Sequence, residues 1–169
     1  MTARERFGLL LTTVSLVLWA GGLAVLGALV APRVFLHSGL ARADAAAVMA
    51  PVFLGFDRWV QLLMAILIAG EFLRLGAGAR PRALINLNVA LLVVLLAAGA
   101  ASTLGTNPQI DQLRRAGAHR GEGPTGARLE QMHGMSERLG RAQAMLALLA
   151  LGLAWIPSRP VRAPRDAGN

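Results

Sequence analysis

Charge-free apolar runs alternate with short arginine-rich segments along this chain, and the charges mark out its elements. Nothing charged stands between Arg6 and Arg33. A hydrocarbon core of about 30 Å needs roughly 20 helical residues, so this run predicts a membrane-crossing helix over 8–32. A cleaved signal peptide has a shorter apolar core and a small-x-small site. "GALVAPRVF" puts Leu29 where a small residue would be wanted, which predicts a retained helix. Asp44 to Asp57 and Arg58 to Glu71 each enclose 12 uncharged residues, too few to span alone. A helix over 51–75 solves this, with Pro51 in the first turn where no amide donor is missed. Asp57 and Glu71 then lie about 21 Å apart along the axis, so at least one carboxylate dips below the interface or the membrane thins locally.

The chain is uncharged from Ala83 to Ile110, which predicts a third span over 83–104. Asn107-Pro108 signals a break, followed by a short amphipathic helix, "PQIDQLRRAG". A glycine-rich stretch, "GAHRGEGPTG", comes next. The fourth helix begins after Pro124-Thr125, with its crossing over 136–156, and an arginine-rich tail (157–169) is expected to be disordered. The expected fold is all-α: an integral membrane four-helix bundle, one domain over 1–169, with a short amphipathic helix in the 3–4 loop.

Composition supports that class. Apolar residues make up 55% of the chain and charged ones 15%, against about a quarter charged in soluble domains. The net charge of +8 comes from arginine alone, and Tyr is absent. A nucleic-acid binder would gather such charge on one face with stacking aromatics. Here the arginines flank apolar runs as interfacial anchors, so the expected partner is the lipid bilayer and no nucleic acid. Arg4, Arg6, Arg74, Arg80, Arg82, Arg159, Arg162 and Arg165 crowd the tails and the 2–3 loop. That density predicts both termini on the cytoplasmic side. With no cysteine, disulfides, thiolate metal sites and cysteine nucleophiles are excluded.

Two polar stripes carry the candidate chemistry. Asp57, Gln61, Met64, Ile68 and Glu71 follow steps of four and three and share one helix face. Such a stripe would line a path for a cation or polar solute; the plain alternative is that these groups satisfy one another while helices pack. His133, Ser136, Gly140 and Gln143 make a second stripe. His133 lies between Met132 and Met135, a soft donor set suited to copper(I), with His37 as a fourth candidate metal ligand. The thioethers fan away from the imidazole on a regular helix, so a three-ligand site requires an unwound turn. His37 and His133 would also serve as haem ligands, and a structural hydrogen-bonding histidine is the plain alternative. No phosphate loop, HExxH or serine-nucleophile motif is present, so no enzyme is expected and no cofactor is specified.

"WAGGLAVLGALVAPRVF", "MAPVF", "NPQIDQLR" and "MHGMSERLGRAQ" follow one another along the chain. In that order they resemble landmarks of the transmembrane protein 205-like family, small four-helix membrane proteins whose bacterial members carry a domain-of-unknown-function label. The likeness runs from Val14 to Ile156, and His-Gly-x-Ser at His133, Gly134 and Ser136 is its most specific piece. It implies the topology, a bacterial inner (plasma) membrane and family-typical positions at His133 and Ser136, but no substrate. Where the family often has asparagine one turn after the serine, this chain has Gly140. The leading expectation is a non-enzymatic binding or transport element for a metal ion or small solute, acting as a homo-oligomer. His37, Asp57, Gln61, His133, Ser136 and Gln143 would form its polar site. The alternatives are a structural or accessory membrane subunit and a haem- or copper-binding membrane protein.

Overall fold

The computed structural model describes residues 2–74, 82–118 and 122–156, except the side chains of Arg42, Ala43 and Arg82. The far end of the second expected helix at Leu75, the loop arginine Arg80, His119 and the tail 157–169 lie outside the described residues. Four long helices account for nearly all the rest. α1 covers Ala3–Leu36 and α2 covers Arg42–Arg74. α3 joins Arg82–Ala100 to Asn107–Arg115 through a π-helical turn, Ala101–Thr106. α4 covers Gly123–Ala154. Among the described residues there is no strand. α1, α2 and α3 are each long and apolar enough to cross a membrane, whereas α4 is polar in its first half and apolar from Ala142 onward. The chain is an all-α membrane bundle of four helices, with its short amphipathic helix at Asn107–Arg115.

Local sequence explains the ends. Thr2 and Glu5 form a reciprocal capping box at the start of α1. α3 stops at Gly117, whose φ of 80° only glycine adopts easily. Beyond it the Ala118 amide donates to the Leu113 carbonyl at 3.0 Å, which satisfies a carbonyl the helix end would orphan.

Two boundaries differ from the expectation. α2 begins at Arg42, so Pro51 stands inside the helix. The preceding "ADAAAVMA" explains this: alanine is the strongest helix former, and Asp44 in the first turn suits the helix dipole. That favourable turn outweighs the one hydrogen bond Pro51 forfeits. Asn107-Pro108 does not break α3, and the amphipathic helix continues it end to end. The π turn widens the backbone just before Pro108, and the same arrangement, Val25–Val30 then Pro32, occurs in α1.

α1 packs against α2 and α4, and α4 also against α3, whereas α2 and α3 touch little along their middle. Leu16, Trp19, Val60, Leu67, Leu95 and Ala147 fill the centre. The backbones of α1 and α2 come close at Gly8 and Gly70, where a Cβ on Gly70 would stand 3.0 Å from the Gly8 carbonyl oxygen. Outward faces are equally apolar: Leu10, Leu18, Leu29, Phe72 and Leu148 are exposed, as suits helices bathed in lipid. Contacts among Thr12, Glu71, Arg74 and Ala154 bring both ends of the helical array to one end of the bundle, here termed basal. The other end is apical.

Candidate functional site

Polar side chains inside the bundle gather at three heights. At the apical height Asn107, just past the π turn of α3, is the hub. Its amide Nδ2 donates to both carboxylate oxygens of Asp57 on α2, at 3.0 and 2.8 Å. Its Oδ1 accepts from the Ser136 hydroxyl of α4 at 3.0 Å, and Ser102 Oγ stands 3.5 Å from the same amide nitrogen. Ser102, Thr103 and Thr106, all on the π turn, are buried, and Thr103 Oγ1 has no protein partner. Asp57 and Ser136, both expected in the site, are thus joined through a residue the spacing rules treated as a helix breaker. Ser136 finds its asparagine on α3, and Gly140 lies against Leu23 of α1.

Toward the apical rim, His133 Nε2 lies 3.2 Å from Arg114 Nη2. A guanidinium only donates, so Nε2 accepts and the ring proton belongs on Nδ1. That lone pair is spoken for, and the neighbouring positive charge opposes a second cation. Met132 packs with Ile110 and Leu129, whereas Met135 is exposed. The expected set of His133, Met132, Met135 and His37 is therefore not assembled, because α4 stays regular through the segment and fans the sulfurs apart. His37 lies beyond α1, exposed, with Nδ1 3.3 Å from the Pro32 carbonyl oxygen. The two histidines engage separate partners, an arrangement that does not suit a shared haem. No group of three or more histidine and acidic side chains among the described residues is placed to hold one metal ion.

At mid-height Trp19 Nε1 donates to Gln143 Oε1 at 3.1 Å, and Gln143 Nε2 donates to the Ala98 carbonyl at 3.3 Å. Gln143 is thereby a buried tie among α1, α3 and α4, apart from the Asp57 cluster. Gln61 faces outward. The buried stripe of α2 runs through Val60, Leu63, Leu67 and Gly70 instead, which places Gln61 a step beyond its edge.

The basal height was not recognised as a unit in the sequence. Glu71 accepts from Thr12 of α1 at 2.9 Å and from Asn88 of α3 at 3.3 Å, and it is ion-paired with Arg74. The Arg74 guanidinium also donates to the Ala154 carbonyl at 3.4 Å. Four helices meet at one ion pair. Asn88 Oδ1 and Ser15 Oγ are buried near this height without a protein partner. Thr12 gave no signal because a threonine in an apolar run is ordinary, and Arg74, expected as an interfacial anchor, turns inward to Glu71 instead.

No curated protein and no solved structure matches the chain. A family model does match, over residues 14–119, a segment holding Trp19, Asp57, Glu71, Asn88 and Asn107 but ending before His133 and Ser136. The match covers more than half of the chain, and the protein belongs to the family described as Domain of unknown function (DUF4149).

Proposed function

We propose that the chain is a non-enzymatic membrane binding or transport element for a small cation, either a proton or a metal ion held through oxygen, centred on Asp57. The contrast between the two carboxylates of α2 carries this. Glu71 has its own arginine, whereas half-buried Asp57 meets a neutral amide and no cation among the described residues. An uncompensated carboxylate inside a membrane-crossing helix is costly and marks function by default. A proton or hard cation relieves that cost, and the Ser102 hydroxyl, 3.5 Å from the Asn107 nitrogen that meets Asp57, offers a further oxygen nearby. Oxygen donors favour hard ions over copper(I). The test is thermal unfolding in mild detergent with Na⁺, Mg²⁺, Ca²⁺ or Mn²⁺, and across pH, for wild type and Asp57→Asn. A ligand at a hundred times its Kd stabilises by about 2.7 kcal/mol. One condition should raise the wild-type midpoint and leave Asp57→Asn unmoved; equal responses throughout would remove the proposal.

A structural or accessory subunit is the second reading, favoured by the Trp19–Gln143–Ala98 tie, which needs no ligand. Under it Asp57→Asn changes stability equally in every salt. Haem and copper have weaker support, since Arg114 and Pro32 engage the histidines separately. To the same proposal belong a homo-oligomer, tested by light scattering, and a bacterial inner membrane with cytoplasmic termini. The kinship with the transmembrane protein 205-like family also belongs here, resting on the His133–Ser136 motif and the "NPQIDQLR" segment.

A further inference from the structure

α2 and α3 are tied at both ends by a carboxylate and an asparagine, Asp57 to Asn107 and Glu71 to Asn88. Between the ties they stand apart. A groove of about 220 Å³ opens there, lined by Leu67, Ile68, Phe72, Val89, Leu92 and Val93, with Glu71 at its basal limit. We propose that it holds one acyl chain of an anionic phospholipid from the leaflet at the basal end, independently of what Asp57 binds.

The surroundings select this occupant. Ile68, Phe72, Val89 and Val93 are exposed apolar residues on helices that cross the membrane, so lipid is the medium they meet. A polar solute would find no hydrogen-bond partner in these walls, and an empty groove would forfeit the dispersion contacts of its lining. The lining spans about 10 Å of helix, under two turns. That is short for a helix of a second copy but ample for a thin, flexible chain. Charge chooses the headgroup. Arg4 and Arg6 are exposed at the basal end, and Glu71, being paired with Arg74, presents no free negative charge to a phosphate.

The experiment reconstitutes the full chain in nanodiscs of phosphatidylglycerol or phosphatidylcholine, extracts it gently, and counts bound lipid by native mass spectrometry. One lipid per chain is expected, retained more strongly from phosphatidylglycerol. Val93→Trp, which fills the groove, should lower retention about tenfold, the loss expected if about ten dispersion contacts with the acyl chain are shut out. Val94→Trp, also exposed but outside the lining, should retain lipid as wild type does. Circular dichroism of both variants establishes that the helices are intact. Equal retention by the two variants, or equal retention of the two lipids, would overturn the assignment. So would efficient disulfide pairing of Val93→Cys chains in the membrane, which would put a second copy in the groove; the chain has no other thiol to confuse the result.

Discussion

Asp57 and Glu71 are chemically near-identical, yet their neighbours give them different weights. The Arg74 side chain is only 9% exposed and lies against Glu71. Glu71→Gln therefore leaves a largely buried guanidinium uncompensated, and a loss of about 3 kcal/mol or more is expected in denaturant unfolding from detergent micelles. Asp57→Asn strands no cation and should cost under about 1 kcal/mol in the same assay without added ligand. At mid-height a double-mutant cycle of Trp19→Phe with Gln143→Leu should return a coupling of roughly 1 kcal/mol, the range for interhelical hydrogen bonds in membranes. Asp57 and Gln143 were legible because polar atoms in apolar runs must find partners, and His133 and Ser136 through the polar stripe they share with Gln143. Their partners were not. Asn107 beside proline carries the same local signature whether it ends a helix or follows a π turn, and only tertiary packing distinguishes the two. Gln61 was misplaced because a step of four from Asp57 overshoots the buried face, which the smaller contacts at Val60 and Gly70 define.

Helices were easier to foresee than their limits. Each charge-free run became a helix because hydrocarbon tolerates no unpaired backbone. Counting charges found the three helices long and apolar enough to cross but ignored alanine propensity, so the first turns of α2 went unseen. Close packing was legible only in part. A glycine in an apolar helix permits a close approach without showing whether a neighbour uses it: Gly99 receives the Trp19 ring and Gly22 the Phe56 ring, whereas Gly21 and Gly27 face open space. Gly8 and Gly70 bring two backbones together, and this makes a sign prediction. Gly70→Ala drives a methyl group against the Gly8 carbonyl and Thr12, and should destabilise by about 1–3 kcal/mol. Gly21→Ala meets nothing within 4 Å and should stabilise by up to about 1 kcal/mol through helix propensity alone. Thermal melting in one detergent compares the two directly.

For the molecule as a whole, the basal contacts put the start of α1 and the end of α4 at one end. Reporter fusions to the two termini should register the same compartment, and opposite compartments would mean that one helix does not cross. The α2–α3 seam adds a geometric consequence. Fourteen steps separate Asp57 from Glu71, but nineteen separate Asn88 from Asn107. At 1.5 Å per α-helical step one strut measures about 21 Å, and the other, shortened somewhat by its π turn, at most about 28 Å, although both are pinned at the same two knots. The longer strut must arch or lean, and slack of at most about 7 Å is built into that wall of the bundle. Deleting a single residue from 101–106 would let that turn close to regular α-helix with little change in where Asn107 points, whereas deleting one from 89–100 would swing Asn107 through about 100° relative to Asn88 and unfasten the upper knot.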